Sequence, residues 1–134
     1  MREITPDKQK ADALIKLAGK ILERINKTNV EEFPSLVLKD YYDSIHELFE
    51  AICYIDGLKF EGDAAHIDLI NYISKAYELG EINRKFLQEL RDERNHISYE
   101  GLEINYDNLK KIKNKIEKII SLSKIILKSK LTKR

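Results

Sequence analysis

Apolar residues recur at three- and four-residue steps along most of this chain. Ala11, Leu14, Ile15, Ala18, Ile21, Leu22 and Ile25 keep that step, and Thr5-Pro6 reads as an N-cap followed by a first helical residue. Together they predict a helix over about 6–27. Gly19 interrupts it at about 1 kcal/mol relative to alanine, a cost that close packing against a neighbour would explain. After the connection TNVEEF, Pro34-Ser35 opens a second helix over about 35–56. Its wide apolar face is Leu38, Tyr41, Tyr42, Ile45, Leu48, Phe49, Ile52 and Ile55, and Gly57 ends it as a left-handed cap. LKFEGD reads as a loop whose Asp63 caps a third helix over about 64–79, with Ile67, Ile70, Ile73 and Tyr77 inward and Gly80 as the stop. A fourth helix starts near 83, carries Phe86, Leu87 and Leu90, and stops before Gly101. Asn105 caps a last helix over about 106–131 with Leu109, Ile112, Ile116, Ile119, Ile120, Ile126 and Leu127. No segment sustains a period of two, so no sheet is expected. The expectation is an all-α antiparallel bundle of four or five helices, forming one domain over 1–134.

Composition narrows the class. Hydrophobic residues at 43% and charged residues at 35% describe a globular chain rather than a disordered one. Cys53 is the only cysteine, which excludes an intrachain disulfide and a cysteine-based zinc site. No run of apolar residues is long enough to span a bilayer, and MREITPDKQK lacks an apolar signal core. A cytoplasmic protein without membrane association is therefore expected. The net charge of +1 hides an asymmetry. Residues 110–134 carry nine lysines and Arg134 against Glu117 alone, a local net of +9, which leaves −8 for residues 1–109. Such a run is either an electrostatic footprint for nucleic acid or the solvated face of a lysine-rich helix.

Several chemistries have no residues here. A glycine-rich phosphate loop and a nucleophile elbow are both missing, and His46, His66 and His96 lack metal-ligand spacing. No metal or cofactor is expected. His66 reads as a surface or capping residue, His46 as structural, and Cys53, Tyr41, Tyr42 and Tyr77 as core. One segment stands apart. RDERNHISYEG, residues 91–101, gathers Arg91, Arg94, Asn95, His96 and Tyr99 near a helix C-terminus. Arginine offers a planar fork for phosphate, and histidine can move a proton near neutral pH. These groups suit attack of an RNA 2′-hydroxyl on its own phosphodiester, which needs no metal if the pentavalent charge is held. The competing reading is a salt-bridged helix end, with both arginines paired to Glu89, Asp92 or Glu93.

The same residues carry a resemblance. DYYDSIHELFEAICYIDGLKFEGDAAH resembles the aromatic-rich second helix of HEPN domains, which ends in glycine and leads to a histidine-initiated third helix. RDERNHISYEG resembles the family motif Arg-x4–6-His before the last helix, and the five-helix order is similar across nearly the whole chain. The resemblance implies a homodimer or heteromer in which two motifs face each other. It also implies an RNA-binding protein that, in active members, is a metal-independent endoribonuclease. Many such members are toxins of toxin–antitoxin pairs beside a small nucleotidyltransferase partner. Others lack the catalytic pair and bind a nucleotidyltransferase-like partner or a nucleotide.

Two registers of the motif stand. In the first, Arg91 and His96 are the catalytic pair: His96 transfers the proton, Arg91 stabilises the pentavalent phosphate, and Arg94, Asn95 and Tyr99 hold substrate. In the second, Arg94-Asn95 is the family's frequent dipeptide, Ile97 its aliphatic residue, and Tyr99 stands where the histidine would. A five-residue offset turns side chains by about 140° in either register, so neither pair shares a helix face. Arg91 and Asn95, four apart, do share one. A composite site across a dimer, or an unwound helix end near Gly101, would relieve the mismatch.

Overall fold

The computed structural model describes residues 1–132; Lys133 and Arg134, two cations of the basic C-terminal run, lie outside the described residues. Five helices account for about three-quarters of the described chain: α1 (Lys8–Lys27), α2 (Pro34–Asp56), α3 (Ala65–Ala76), α4 (Glu81–Glu100) and α5 (Tyr106–Thr132). The all-α bundle expected from the periodicity is the architecture present. Its axis is α2, which packs against each of the other four helices. That role explains its wide apolar face, since Leu38, Tyr42, Ile45, Leu48, Phe49 and Ile52 are all sealed from solvent. α1 lays Ala11, Ala18 and Ile25 on it, and α5 contributes Leu109, Ile116, Ile119 and Leu127. Cys53 is buried in the same core.

Local differences from the sequence expectation have physical causes. Thr5 and Pro6 stay outside α1, whose cap is Asp7, its carboxylate accepting the Lys10 N–H at 2.9 Å. The chain before it is extended because the end of α2 claims it: the Ile4 N–H donates to the Gly57 carbonyl at 2.9 Å, and the Asp7 N–H donates to the Tyr54 carbonyl at 3.0 Å. Carbonyls at a helix end lack the full set of intrahelical donors, and of these two only that of Tyr54 has another, a long bond from the Gly57 N–H at 3.4 Å. The same contact forms a two-stranded antiparallel ribbon, β1 (Arg2–Glu3) with β2 (Leu58–Lys59), too short to leave an alternating signal. Gly57 has φ 76° as expected of a left-handed cap, and a β-carbon there would also meet the Ile4 carbonyl oxygen at 2.8 Å.

α3 is shorter than expected. It is capped by Ala64 without a side-chain bond rather than by Asp63, it ends at Ala76, and its Ile67 is exposed rather than inward. α4 starts two residues early, at Glu81. Asn105 caps α5 as expected, accepting the Asn108 N–H at 2.8 Å. A β-carbon at Gly19 would meet nothing within 4 Å, so close packing is not why that glycine is there.

Three elements are tied at one carboxylate. Asp56, the last residue of α2, accepts the Tyr72 hydroxyl of α3 at 2.8 Å, the Tyr77 hydroxyl at 2.6 Å and the Lys130 ammonium of α5 at 2.6 Å. Burial, then the bond to Asp56, pushes both phenols above their ordinary pKa, so each stays a donor. Among the described residues no helix is long and apolar enough to cross a membrane.

Candidate functional site

α4 is an unbroken α-helix through Glu100, and only Gly101, at φ 69°, turns left-handed to close it. The helix end therefore does not unwind, and the 91–99 side chains keep regular helical spacing. Leu87, Leu90 and Ile97 face the core. Arg91 and Arg94 flank that buried stripe, with side chains only 18% and 22% exposed. Asn95 is partly buried beside them. His96 and Tyr99 are on the solvent side, His96 with a 51% exposed side chain 3.9 Å from Glu100 and Tyr99 at 78%. Arg91 and His96 therefore do not converge within one chain. Arg94 lies within electrostatic reach of the Tyr99 phenol, which with Asp43 favours its charged form.

The pairing of the arginines is half what a salt-bridged helix end would give. Arg91 bonds its neighbour Asp92 at 2.8 Å, and its Nε donates to Gln88 Oε1 at 3.3 Å. Arg94 leaves its own helix: its Nε donates to Asp43 of α2 at 3.1 Å. Each guanidinium keeps N–H groups for a further acceptor.

A histidine pair lies on the same side of the bundle. His46 of α2 and His66 of α3 stack face to face, with ring centroids 4.1 Å apart and planes 5° from parallel. Tyr42, one turn before His46, places its hydroxyl 3.0 Å from His66 Nδ1. His66 is thus not a helix cap; its ring lies flat on α2. Two hydrogen-bond routes tie this cluster to the arginines. Gln88, which accepts from Arg91, donates to the Ile67 carbonyl at 3.2 Å, next to His66. Asp43, which accepts from Arg94, is next to Tyr42. The sequence alone reads Tyr42 as core, His46 as structural and His66 as a surface or capping residue, with nothing to join them. The available signal was Tyr42 and His46 four apart on an otherwise apolar stripe, which puts two polar-tipped rings on one face.

Both imidazoles are neutral at physiological pH. Burial lowers His46 to about 3, reinforced by His66, Lys59 and Arg94. Glu50 approaches His46 at 3.7 Å but is already paired by Lys59 at 3.2 Å, so it does not rescue the charged ring. His66 is lowered by desolvation, then by Arg94. The sign of the effect on stability follows: below an ordinary histidine pKa near 6.5, the unfolded chain takes a proton that folded His46 refuses. Stability is full above that pH and falls as pH drops toward 3. By pH 5 the loss from His46 is about 2 kcal/mol. Urea midpoints at pH 7 and pH 5 measure it, and His46→Phe, which keeps a ring in the stack, should remove most of the difference. An equal acid loss in both proteins would contradict the assignment.

A cleft of about 550 Å³ lined by Leu38, Phe86, Glu89, Asp92, Ile104 and Lys111 includes neither arginine and no histidine, and meets this cluster only through Asp92, the partner of Arg91. Among the described residues no group of three or more histidine, cysteine or carboxylate side chains is placed to hold a metal ion. Comparison with protein-family models, with curated proteins and with solved structures finds no match for this chain.

Proposed function

We propose that this chain is a HEPN-type RNA-binding protein that holds an RNA backbone on the Arg91–Arg94 flank of α4 and cleaves it as a dimer. The observation that carries this is the state of the two arginines. Both are partly buried, held by Gln88 and Asp43, and each keeps N–H groups for a phosphate. Ordered guanidinium forks lose little entropy on binding, unlike free surface lysines.

Cleavage requires His96, which stands about 140° around the helix from Arg91. A two-fold pair that lays one α4 against another brings His96 of one copy toward Arg91 of the second. There the imidazole takes the 2′-hydroxyl proton, the oxygen attacks phosphorus as the bond to the 5′-oxygen breaks, and the imidazolium returns the proton to that 5′-oxygen, giving a 2′,3′-cyclic phosphate and a 5′-hydroxyl. Arg91 stabilises the pentavalent charge, Arg94 and Asn95 hold the backbone, and Tyr99 lies within electrostatic reach of Arg94. No metal enters these steps. A toxin of this type would be held by a nucleotidyltransferase-type antitoxin. The nearness of Tyr99 to Arg94 favours a second reading: a non-catalytic module of the Arg94/Tyr99 register that binds such a partner, or a nucleotide, through the same face.

Salt dependence tests the RNA contact. For three or four phosphate contacts, affinity for single-stranded RNA should fall with a log–log slope of about −2 to −3. Arg91→Ala with Arg94→Ala should flatten it by about one to two. The exposed Lys124 and Lys128 of α5 should contribute further, measured as Gln variants. Lys130 should not, because Asp56 holds it, and Lys133 lies outside the described residues. An affinity indifferent to salt or to the arginines would remove the proposal and leave the lysine run as a solvated face.

A further inference from the structure

We infer that His66 completes a phosphate-binding notch with Arg91 and Arg94, as an uncharged Nε2–H donor. The inference shares with the preceding section the premise that the two arginines face phosphate, and it adds a group from a different helix. Three observations converge on it.

The tautomer comes first. The Tyr42 hydroxyl is buried, and among the described residues its hydrogen-bond partner is His66 Nδ1 at 3.0 Å. A buried hydroxyl proton needs an acceptor, and Nδ1 is the one it has. Tyr42 therefore donates to Nδ1, and the ring proton of neutral His66 resides on Nε2. Among the described residues that N–H has no acceptor, and the His66 residue is exposed.

Orientation comes second. The His66 ring is pressed flat on His46, itself largely buried, so it cannot rotate without losing both the stack and the Tyr42 bond. The donor is held in place before any ligand arrives.

Placement comes third. Arg94 is bound to Asp43, the residue after the Tyr42 that holds His66, and Arg91 is bound to Gln88, which is bound to the residue after His66. Each bridge ends one residue along the chain from the Tyr42–His66 pair, at Asp43 for Arg94 and at Ile67 for Arg91. Two guanidinium forks and one neutral N–H thus flank the same junction of α2, α3 and α4. An oxyanion is the ligand class that accepts from all three. On an RNA chain it is a backbone phosphate; on a nucleotide it is the terminal one.

Nitrogen chemical shifts of the 15N-labelled full chain test this with two probes, uridine 3′-monophosphate and a single-stranded 2′-O-methyl RNA oligomer, which cannot be cleaved. Both should move the His66 Nε2 and Arg94 Nε signals. His66→Phe keeps a ring on His46 without the donor and should weaken binding about ten-fold, whereas His66→Gln, which restores an N–H, should recover part of it. If the oligomer binds while His66 Nε2 stays still and His66→Phe binds equally well, the inference is wrong and RNA binding stands. If the monophosphate binds through His66 and the oligomer does not, the notch stands and the RNA proposal falls. If neither probe binds, both fall.

Discussion

Replacing Asp56 by alanine is expected to cost about 3 kcal/mol of folding stability, a large part of the 5–15 kcal/mol typical of a domain. One carboxylate at the end of α2 accepts two phenols and an ammonium, and it thereby fastens α3, the turn after it and the C-terminal part of α5. Removing it leaves two hydroxyls and a cation without their partner. The expected loss is at the lower end of the range for breaking a buried pair, because the Lys130 side chain is 25% exposed and can reach water. Asp56→Asn keeps the acceptor oxygen for the phenols but not the charge, and should lose less. Lys130→Met leaves the phenol bonds intact and should lose about 1 kcal/mol. Urea denaturation at pH 7 gives all three values, and the Asp56→Ala, Lys130→Met double variant should lose less than the sum of its parts. A loss below about 1 kcal/mol for Asp56→Ala would mean that the three elements are held by apolar packing alone.

The second large effect belongs to the proposed reaction. His96→Ala should lower metal-independent RNA cleavage by about 10²- to 10⁴-fold with little change in the thermal midpoint, since the side chain is 51% exposed and lies outside the core. Arg91→Ala should lower the rate comparably by removing charge stabilisation at phosphorus. Because the two groups lie apart on one continuous helix, the active unit has to be composite. Mixing the two inactive variants should then restore part of the activity, because a mixed dimer carries one intact site. Wild-type protein should scatter light as a dimer of the 15.7 kDa chain, and its products should form in EDTA and end in 2′,3′-cyclic phosphate. Cleavage by wild type that survives His96→Ala would show that another group moves the proton. Absence of cleavage by wild type, with RNA binding kept, would favour the Arg94/Tyr99 register, and Tyr99→His is the variant that could then introduce a rate.

Much of the fold was legible because its causes are local. The three- and four-residue recurrence of apolar side chains defines each helix, and Gly57 and Gly101 end helices as left-handed caps that few other residues adopt cheaply. The stripes also marked which side of α2 and α5 is buried. Helix starts were less legible where a long-range contact outcompeted a local signal. Thr5-Pro6 has the chemistry of a helix start, but the carbonyls of Tyr54 and Gly57 at the end of α2 take the Asp7 and Ile4 N–H groups on either side of it, and α1 begins only after Asp7.

The site divides along the same line. The chain order by itself placed Arg91, Arg94, Asn95, His96 and Tyr99 on one helix end and determined that no five-residue pair among them could share a face, because helical twist is a property of the backbone. It could not say that Arg94 would reach across to Asp43 rather than to Glu89 or Glu93, or that His46 and His66 would stack. Those contacts depend on the angle and register at which α2, α3 and α4 pack, and these follow from how whole apolar faces interdigitate rather than from any local run of residues. Only the tertiary structure, by packing α2 against the other four helices at once, turned a tyrosine, two histidines and two arginines from three separate stretches of chain into neighbours.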